Sequence, residues 1–449
     1  MSRETDRYLI TDVTVVTLGA SQRVIEAGAL LVEDGKIGRI GASAELRAEF
    51  PDVPPVQAAG LVAMPGNINI HDHIYSALAR GISMDGEPPQ NFLQILERLW
   101  WRLDAALTLE DVYYSGLLDF IEAAKRGTTT LVDHHASPNA IEGSLDELAR
   151  ACLEVGLRGC FCYEVTDRHG EDGAVRGIQE NARFLKRCRQ DGNPALSAAF
   201  GLHASFTVSP RTLERCLEAA PERDTFFHVH VGEDAADAAH SQHHYGKPAL
   251  RRLLEEGLST HPMLAAHCIH LEESEYALLT EHDVSVLHNP ESNMNNAVGC
   301  AQVRRMLRAG VPVGLGTDGM TQDLFQGLKV VPLVHRVVAL HPQAFGYDEV
   351  YALAYQHNPA IASRLFPFRL GALEVGAAAD IVLLEYDPPT PLTGSNVMGH
   401  LIFGLGSARV HTTIVGGNFV VRDGRVMGVD EKEVYARCRE LARKLWARW

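Results

Sequence analysis

Two histidines one residue apart, His71 and His73, close an apolar run that begins at Leu61. In a strand, side chains two apart share a face, so both imidazoles aim at one point beyond its end. With 21 histidines in the chain, one such pair arises readily by chance. Its weight depends on what other segments bring. His134 and His135, His203, His228 and His230 with Glu233, His267, His288, and Asp318 each fall at or just past the end of a short apolar run. A single histidine so placed is ordinary core chemistry, whereas several runs ending this way point to a metal site. His71, His73 and His230 offer three imidazoles, and Asp318 in Gly316-Thr317-Asp318-Gly319 offers a carboxylate. That donor set suits zinc or ferrous iron, with a position left for water. His228 shares a strand face with His230, and spacing alone does not separate the two. Glu233 falls on the turn after its strand, free to reach substrate and placed for general acid and base work.

The elements that must position these residues alternate short apolar runs with longer helical patterns, which implies βα units and a parallel sheet. Strands are expected at 61–70, 128–133, 157–164, 198–203, 225–231, 263–267, 284–288 and 311–317. Eight is the number that closes a (β/α)8 barrel of the TIM type, whose active site forms at the C-terminal strand ends. The barrel is expected over residues 61–369. Residues 1–60 and 370–449 read as alternating strands, with Asp34-Gly35 as a hairpin turn and an amphipathic helix from Glu431 to Trp449. These two ends are expected to form one small β-sandwich domain. An insert over 75–107, with Trp100-Trp101-Arg102, lies between the first strand and its helix, where it can serve as a lid or pocket wall.

Bulk properties narrow the partners. A net charge of −16 repels phosphate backbones, which argues against nucleic acid. No apolar run approaches the ~20 residues that span a bilayer. The start, Met1 to Arg7, is charged and lacks a signal-peptide core. Eight cysteines occur without a C-x-x-C pair, as expected for reduced thiols in a cytoplasm. Cys160 and Cys162 sit in an apolar run and read as core residues.

The order M-P-G-x-x-x-x-H-x-H, H-x-H-x-x-E, A-H-C, H-N-P-x-S-N and G-T-D-G resembles the amidohydrolase superfamily over essentially the whole chain. Within it, the chain resembles the aminohydrolase and chlorohydrolase branch of metal-dependent deaminases. Leu99-Trp100-Trp101-Arg102-Leu103-Asp104, Asp133-His134-His135-Ala136-Ser137-Pro138, Tyr245-Gly246-Lys247 and Ser292-Asn293-Met294-Asn295-Asn296 are similar to SsnA-type aminohydrolases. The resemblance implies His71, His73, His230 and Asp318 as metal ligands and Glu233 as proton shuttle. It also implies that His267 orients the attacking water, that Asp318 moves protons, and that His203 contacts substrate. Binuclear members bridge two metals with a carboxylated lysine, commonly on the fourth strand. Lysine occurs here only at 36, 125, 186, 247, 329, 432 and 444, none of them at that strand's end. One divalent ion per subunit is therefore expected, zinc first and ferrous iron second.

The resulting expectation is a hydrolytic deaminase of an aminated N-heterocycle, such as a purine, pyrimidine or triazine-like ring, acting as a homodimer or larger homo-oligomer. Trp100, Arg102, His134, His243 and Ser292 are expected to join His203 around that substrate. Hydrolysis of a cyclic amide or a C–Cl bond is the alternative within the superfamily. A noncatalytic metal-binding protein ranks last, because Glu233, His267 and Asp318 are all present.

Overall fold

The structure, a computed structural model, describes residues 7–19, 22–84, 86–220 and 222–449. Residues 1–6, the charged start read above for its lack of a signal core, lie outside the described residues.

Eight short parallel strands surround the centre: β1 Asn67–Asp72, β2 Thr128–Asp133, β3 Arg158–Phe161, β4 Leu196–Ala198 continued as Phe200–Ala204, β5 Phe227–Val231, β6 Met263–His267, β7 Val284–His288 and β8 Val313–Leu315. Neighbours pair in parallel along this order. The break in β4 is a change of partner. Ala199 N donates to Phe161 O of β3 at 3.2 Å, and Phe200 N donates to Phe226 O, just before β5, at 2.8 Å. The ring closes where Thr317 N and Asp318 N donate to His71 O at 3.1 and 2.9 Å. Ile68, Ile70, Val132, Cys160, Leu264 and Leu287 pack into one buried cluster drawn from five of the strands. Helices cover the outer face, so these strands are buried on both sides, including the Asn, Thr and His residues of β1, β2 and β5. The fold is a TIM barrel.

The expected strand 61–70 is two strands. Leu61–Pro65 pairs in parallel with Arg7–Val16 and antiparallel with Ile381–Glu385. After Gly66 the chain enters the barrel as β1, with Asn67 N donating to Gly127 O at 2.8 Å. A Cβ on residue 66 would lie 2.2 Å from Thr129 Cγ2, so glycine alone passes this point. Leu61–Pro65 is apolar throughout whereas Asn67–Asp72 alternates Asn with Ile, so the change of pattern falls at Gly66 and the expected strand ran across it. Five residues assigned to the barrel thus pair with the terminal strands.

Those terminal strands form one nine-stranded mixed sheet. Its order is Arg425–Val426, Asn418–Arg422, Arg409–Val415, Ile381–Glu385, Leu61–Pro65, Arg7–Val16, Val24–Glu33 and Lys36–Ala42, with Pro55–Gln57 beside Arg7–Val16. The Asp34-Gly35 hairpin is present. Both residues have positive φ, 52° and 74°, as a two-residue turn between twisted strands requires. Helix Glu431–Arg448, capped by Asp430, ends the chain against the insert that follows β1. No helix among the described residues is long and apolar enough to cross a membrane.

Candidate metal centre and active-site cleft

β1 delivers His71 and His73, and β5 delivers His228 and His230. Three of the five histidines at the floor, His73, His230 and His267, have Nδ1 held by an acceptor oxygen that fixes the other ring nitrogen. His73 Nδ1 donates to His134 O at 2.7 Å, and His230 Nδ1 donates to His203 O at 2.6 Å. Each proton is thereby placed on Nδ1, leaving a lone pair on Nε2. The two Nε2 atoms face each other at 3.1 Å. Two lone pairs at that distance repel unless a cation lies between them. His71 Nδ1 meets His228 Nε2 at 2.8 Å, while His71 Nε2 is buried without a hydrogen-bond partner. The nitrogens of His71, His73 and His230 all lie within 4.8 Å of one another. This arrangement fits a divalent ion, and His228, which spacing left undecided, buttresses His71.

The second set is His71, His267 and Asp318, whose ligand atoms also lie within 4.8 Å of one another. His267 Nδ1 donates to Asn293 Oδ1 at 2.8 Å, so its Nε2 is an acceptor. That Nε2 lies 3.5 Å from Glu233 Oε2 and 3.6 Å from Asp318 Oδ2. Asp318 is 3.5 Å from His73 Nε2, and its carboxylate also accepts from the Ser292 hydroxyl. His267 and Asp318 have φ of 70° and 57°, a conformation that non-glycine residues adopt at a cost. That strain aims both side chains inward from the strand ends.

Electrostatics sorts the groups by role. Burial, followed by repulsion from neighbouring imidazoles, pushes His71, His228 and His230 well below the usual histidine range and keeps them neutral. Neutral imidazole is the ligand form. Burial and then the Asp318 charge push Glu233 well above the usual carboxyl range, which favours its protonated form. For Asp318 burial also pushes upward, but neighbouring His73 and His267 together with hydrogen bonds from Gly319 N and the Ser292 hydroxyl outweigh it, and the net shift is downward. One carboxyl is poised as an acid and the other as a base.

Above this floor lies a cleft walled by Phe92, Leu96, Trp100, Trp101, Phe206 and Met320. The insert supplies most of that wall. It runs through a short turn, helix Phe92–Ile95, the π-helical turn Leu96–Trp100 and helix Trp101–Ala106. His203, Trp100, Ser292, Glu233, His73, His230 and Asp318 line the cleft.

Three residues expected at the substrate lie elsewhere. The Arg102 guanidinium sits 4.6 Å from the Trp449 ring, on the side of the insert facing the terminal helix. His243 is exposed on helix Ala235–Tyr245 and packs edge-on to His244 at 4.9 Å. A polar helix surface, not a pocket, explains its histidine-rich sequence. His134 is fully buried below the lining, with Nε2 near the carbonyls of Leu202 and His228.

Sequence reasoning missed Glu164 and Tyr75, both in the lining. Glu164 ends the apolar run Cys160-Phe161-Cys162-Tyr163, and a charge closing such a run was the available signal. Burial pushes its carboxyl up, and the Arg168 guanidinium, 2.7 Å away, pulls it back down. Asn293, the hydrogen-bond partner of His267, was also missed.

The Amidohydrolase family model matches residues 62–420. A shorter model, the imidazolonepropionase-like composite domain of bacteria, matches residues 28–52. The chain belongs to the amidohydrolase family. It is 32% identical over 445 residues to a 5-methylthioadenosine/S-adenosylhomocysteine deaminase of Desulforudis audaxviator, covering 98% of this chain and 99% of that protein. It is likewise 32% identical over 444 residues to a 5'-deoxyadenosine deaminase of Methanosarcina mazei, covering 98% of each. Among solved structures, an adenosine deaminase from Xanthomonas campestris with bound zinc matches with a TM-score of 0.84 at 25% identity, over 98% of both chains.

Proposed function

We propose that the chain is a metal-dependent hydrolytic deaminase of an aminated N-heterocycle, with adenosine-type purines the first class to test. The observation that carries this reading is the facing pair of lone pairs on His73 and His230, set beside Glu233, His267 and Asp318 at the floor of one cleft. His71, His73, His230 and Asp318 would hold one divalent ion per chain, zinc before iron. When bound, such an ion supplies the acidity that makes a water molecule nucleophilic near neutral pH.

The chain's own groups handle the rest. Asp318, ionised, accepts the proton released by the attacking water. His267 Nε2 steadies that oxygen, and Asn293 fixes the ring that does so. Glu233 protonates the ring nitrogen next to the attacked carbon, so no negative charge accumulates there. Asp318 returns its proton to the amino group, the carbon–nitrogen bond breaks, and ammonia leaves as the new hydroxyl gives its proton back to Glu233 and the ring carbonyl forms. General acid and base help of this kind contributes about 10²- to 10⁴-fold in rate.

His203, Trp100 and Ser292 are read as substrate-facing, given their place on the lining. The nine-stranded sheet from the two chain ends is read as a small β-sandwich module, with Leu61–Pro65 added to residues 1–60 and 370–449. Val337, Val338, Leu340 and Phe403, exposed by 62% or more, support assembly into a homo-oligomer. All eight cysteines are unpaired, which supports a cytoplasmic setting.

The test loads the purified protein with zinc or iron and screens aminated purines, pyrimidines and triazines for ammonia release. Release from at least one ring is expected. Ring opening of a hydantoin or dihydropyrimidine, with no ammonia from any aminated ring, would replace deamination with cyclic-amide hydrolysis.

A further inference from the structure

The contact between His134 and Glu164, beside the metal ligands, plays no part in the steps above. His134 Nε2 lies 3.1 Å from Leu202 O and 3.2 Å from His228 O. Carbonyl oxygens accept only, so the ring proton sits on Nε2 and Nδ1 carries a lone pair. Nδ1 is buried and has no hydrogen-bond partner among the described residues. It faces Glu164 Oε2 at 3.4 Å, which sets one acceptor against another. Glu164 is held in that pose from behind. Its Oε1 accepts from Arg168 at 2.7 Å, and the Arg168 guanidinium lies 4.7 Å from the Trp101 ring and 3.5 Å from Asp104.

A third acceptor borders the same place. The Thr207 hydroxyl donates to Ala204 O at 3.2 Å, so His203 Nδ1, 2.7 Å from that hydroxyl oxygen, must be its donor. His203 Nε2 is then also an acceptor. Both Glu164 and His203 line the cleft, and Glu164 is 3% exposed. Buried acceptors left without donors are costly, and a ligand that brings donors removes the cost.

We propose that Glu164, with His134 behind it and His203 beside it, forms a substrate subsite for two adjacent N–H or O–H donors. The inference rests on the deaminase reading and deepens it. Two chemistries present such a pair: the vicinal diol of a ribose, or the two N–H bonds of an extra exocyclic amino group. Either one places donors on the carboxylate while the reacting carbon faces Glu233 and Asp318 across the cleft. Glu164 then determines which aminated ring is accepted, not how fast its bond breaks.

Two pairs of compounds separate the sources. The nucleoside pair is adenosine and 2',3'-dideoxyadenosine, and the base pair is 2,6-diaminopurine and adenine. In wild-type enzyme, the donor-bearing member of one pair is expected to have about 10- to 100-fold higher kcat/KM, the worth of a hydrogen bond to a charged group. Glu164→Gln keeps the Arg168 contact through its amide oxygen and turns an N–H toward His134. It should therefore erase that gap with melting temperature and metal content unchanged. A gap in the nucleoside pair assigns the ribose diol, and one in the base pair assigns the ring edge. A gap that survives Glu164→Gln, or no gap in either pair, overturns the subsite. So does a second divalent ion that wild type holds and Glu164→Gln loses, because the contact would then take a cation. Calorimetric binding of the same four compounds reads the gap as affinity without turnover. Absence of ammonia would therefore sink the deaminase reading while the subsite stands or falls on binding.

Discussion

The floor and the wall of the cleft are built differently. The floor rests on strand ends, and each of His71, His73, His230 and His267 has its second ring nitrogen held by another group. The wall rests on a segment of short helical turns that cannot hold its own shape. Helix Glu431–Arg448 and its terminal Trp449 hold it from outside. Trp446 Nε1 donates to Leu78 O at 2.9 Å, Trp449 Nε1 to Leu99 O at 3.4 Å, and Arg448 to Ala106 O at 3.1 Å. A rigid floor suits chemistry, which tolerates little misplacement, and a tethered wall suits ligand choice.

Substitutions at the two places should fail differently. The largest effect is expected from His71→Ala, which should strip nearly all bound ion and with it all measurable turnover, as read by elemental analysis and ammonia release. Glu233→Gln should lose about 10²- to 10⁴-fold in kcat while metal content and melting temperature hold. Wild-type turnover in that variant on a confirmed substrate would remove Glu233 from the mechanism. His228→Ala should weaken metal affinity by about 10- to 100-fold, because His71 loses the group that orients it. A competition titration against a chelator measures this. At the wall, Trp449→Ala should leave metal affinity untouched and raise KM several-fold with kcat within about twofold, at a stability cost of about 1–2 kcal/mol. Arg102→Ala should do the same to a smaller degree, and the double variant should be no worse than Trp449→Ala alone. Additive losses would mean that Arg102 acts on substrate by itself.

The same contrast explains what could be read from residues. The floor was legible because the barrel puts chemistry at the ends of apolar runs, and those ends carry residue types that apolar packing does not call for. His71, His73, His230, Glu233, His267 and Asp318 all appeared that way and meet in one place. The wall was not. Arg102 belongs to Trp449 through folding of the far end of the chain, which no local pattern records. Arg168 orients Glu164 from the next turn while stacking on Trp101 of the insert, a meeting of distant segments. His243 misled because a histidine-rich helix looks the same whether it faces a pocket or water. The strand at 61–70 misled for a different reason: Gly66 and Asn67 mark the seam, but two β-type segments joined by a single glycine read as one continuous strand.

That seam matters for recombination between relatives. A chimera that takes its terminal sheet from one amidohydrolase and its barrel from another would be cut at residue 60 by sequence pattern. Such a cut transplants Leu61–Pro65 with the wrong partner and mismatches both Arg7–Val16 and Ile381–Glu385. A crossover at Gly66 leaves every ladder with its native neighbour, and the residue itself fits only if the incoming barrel keeps room opposite Thr129.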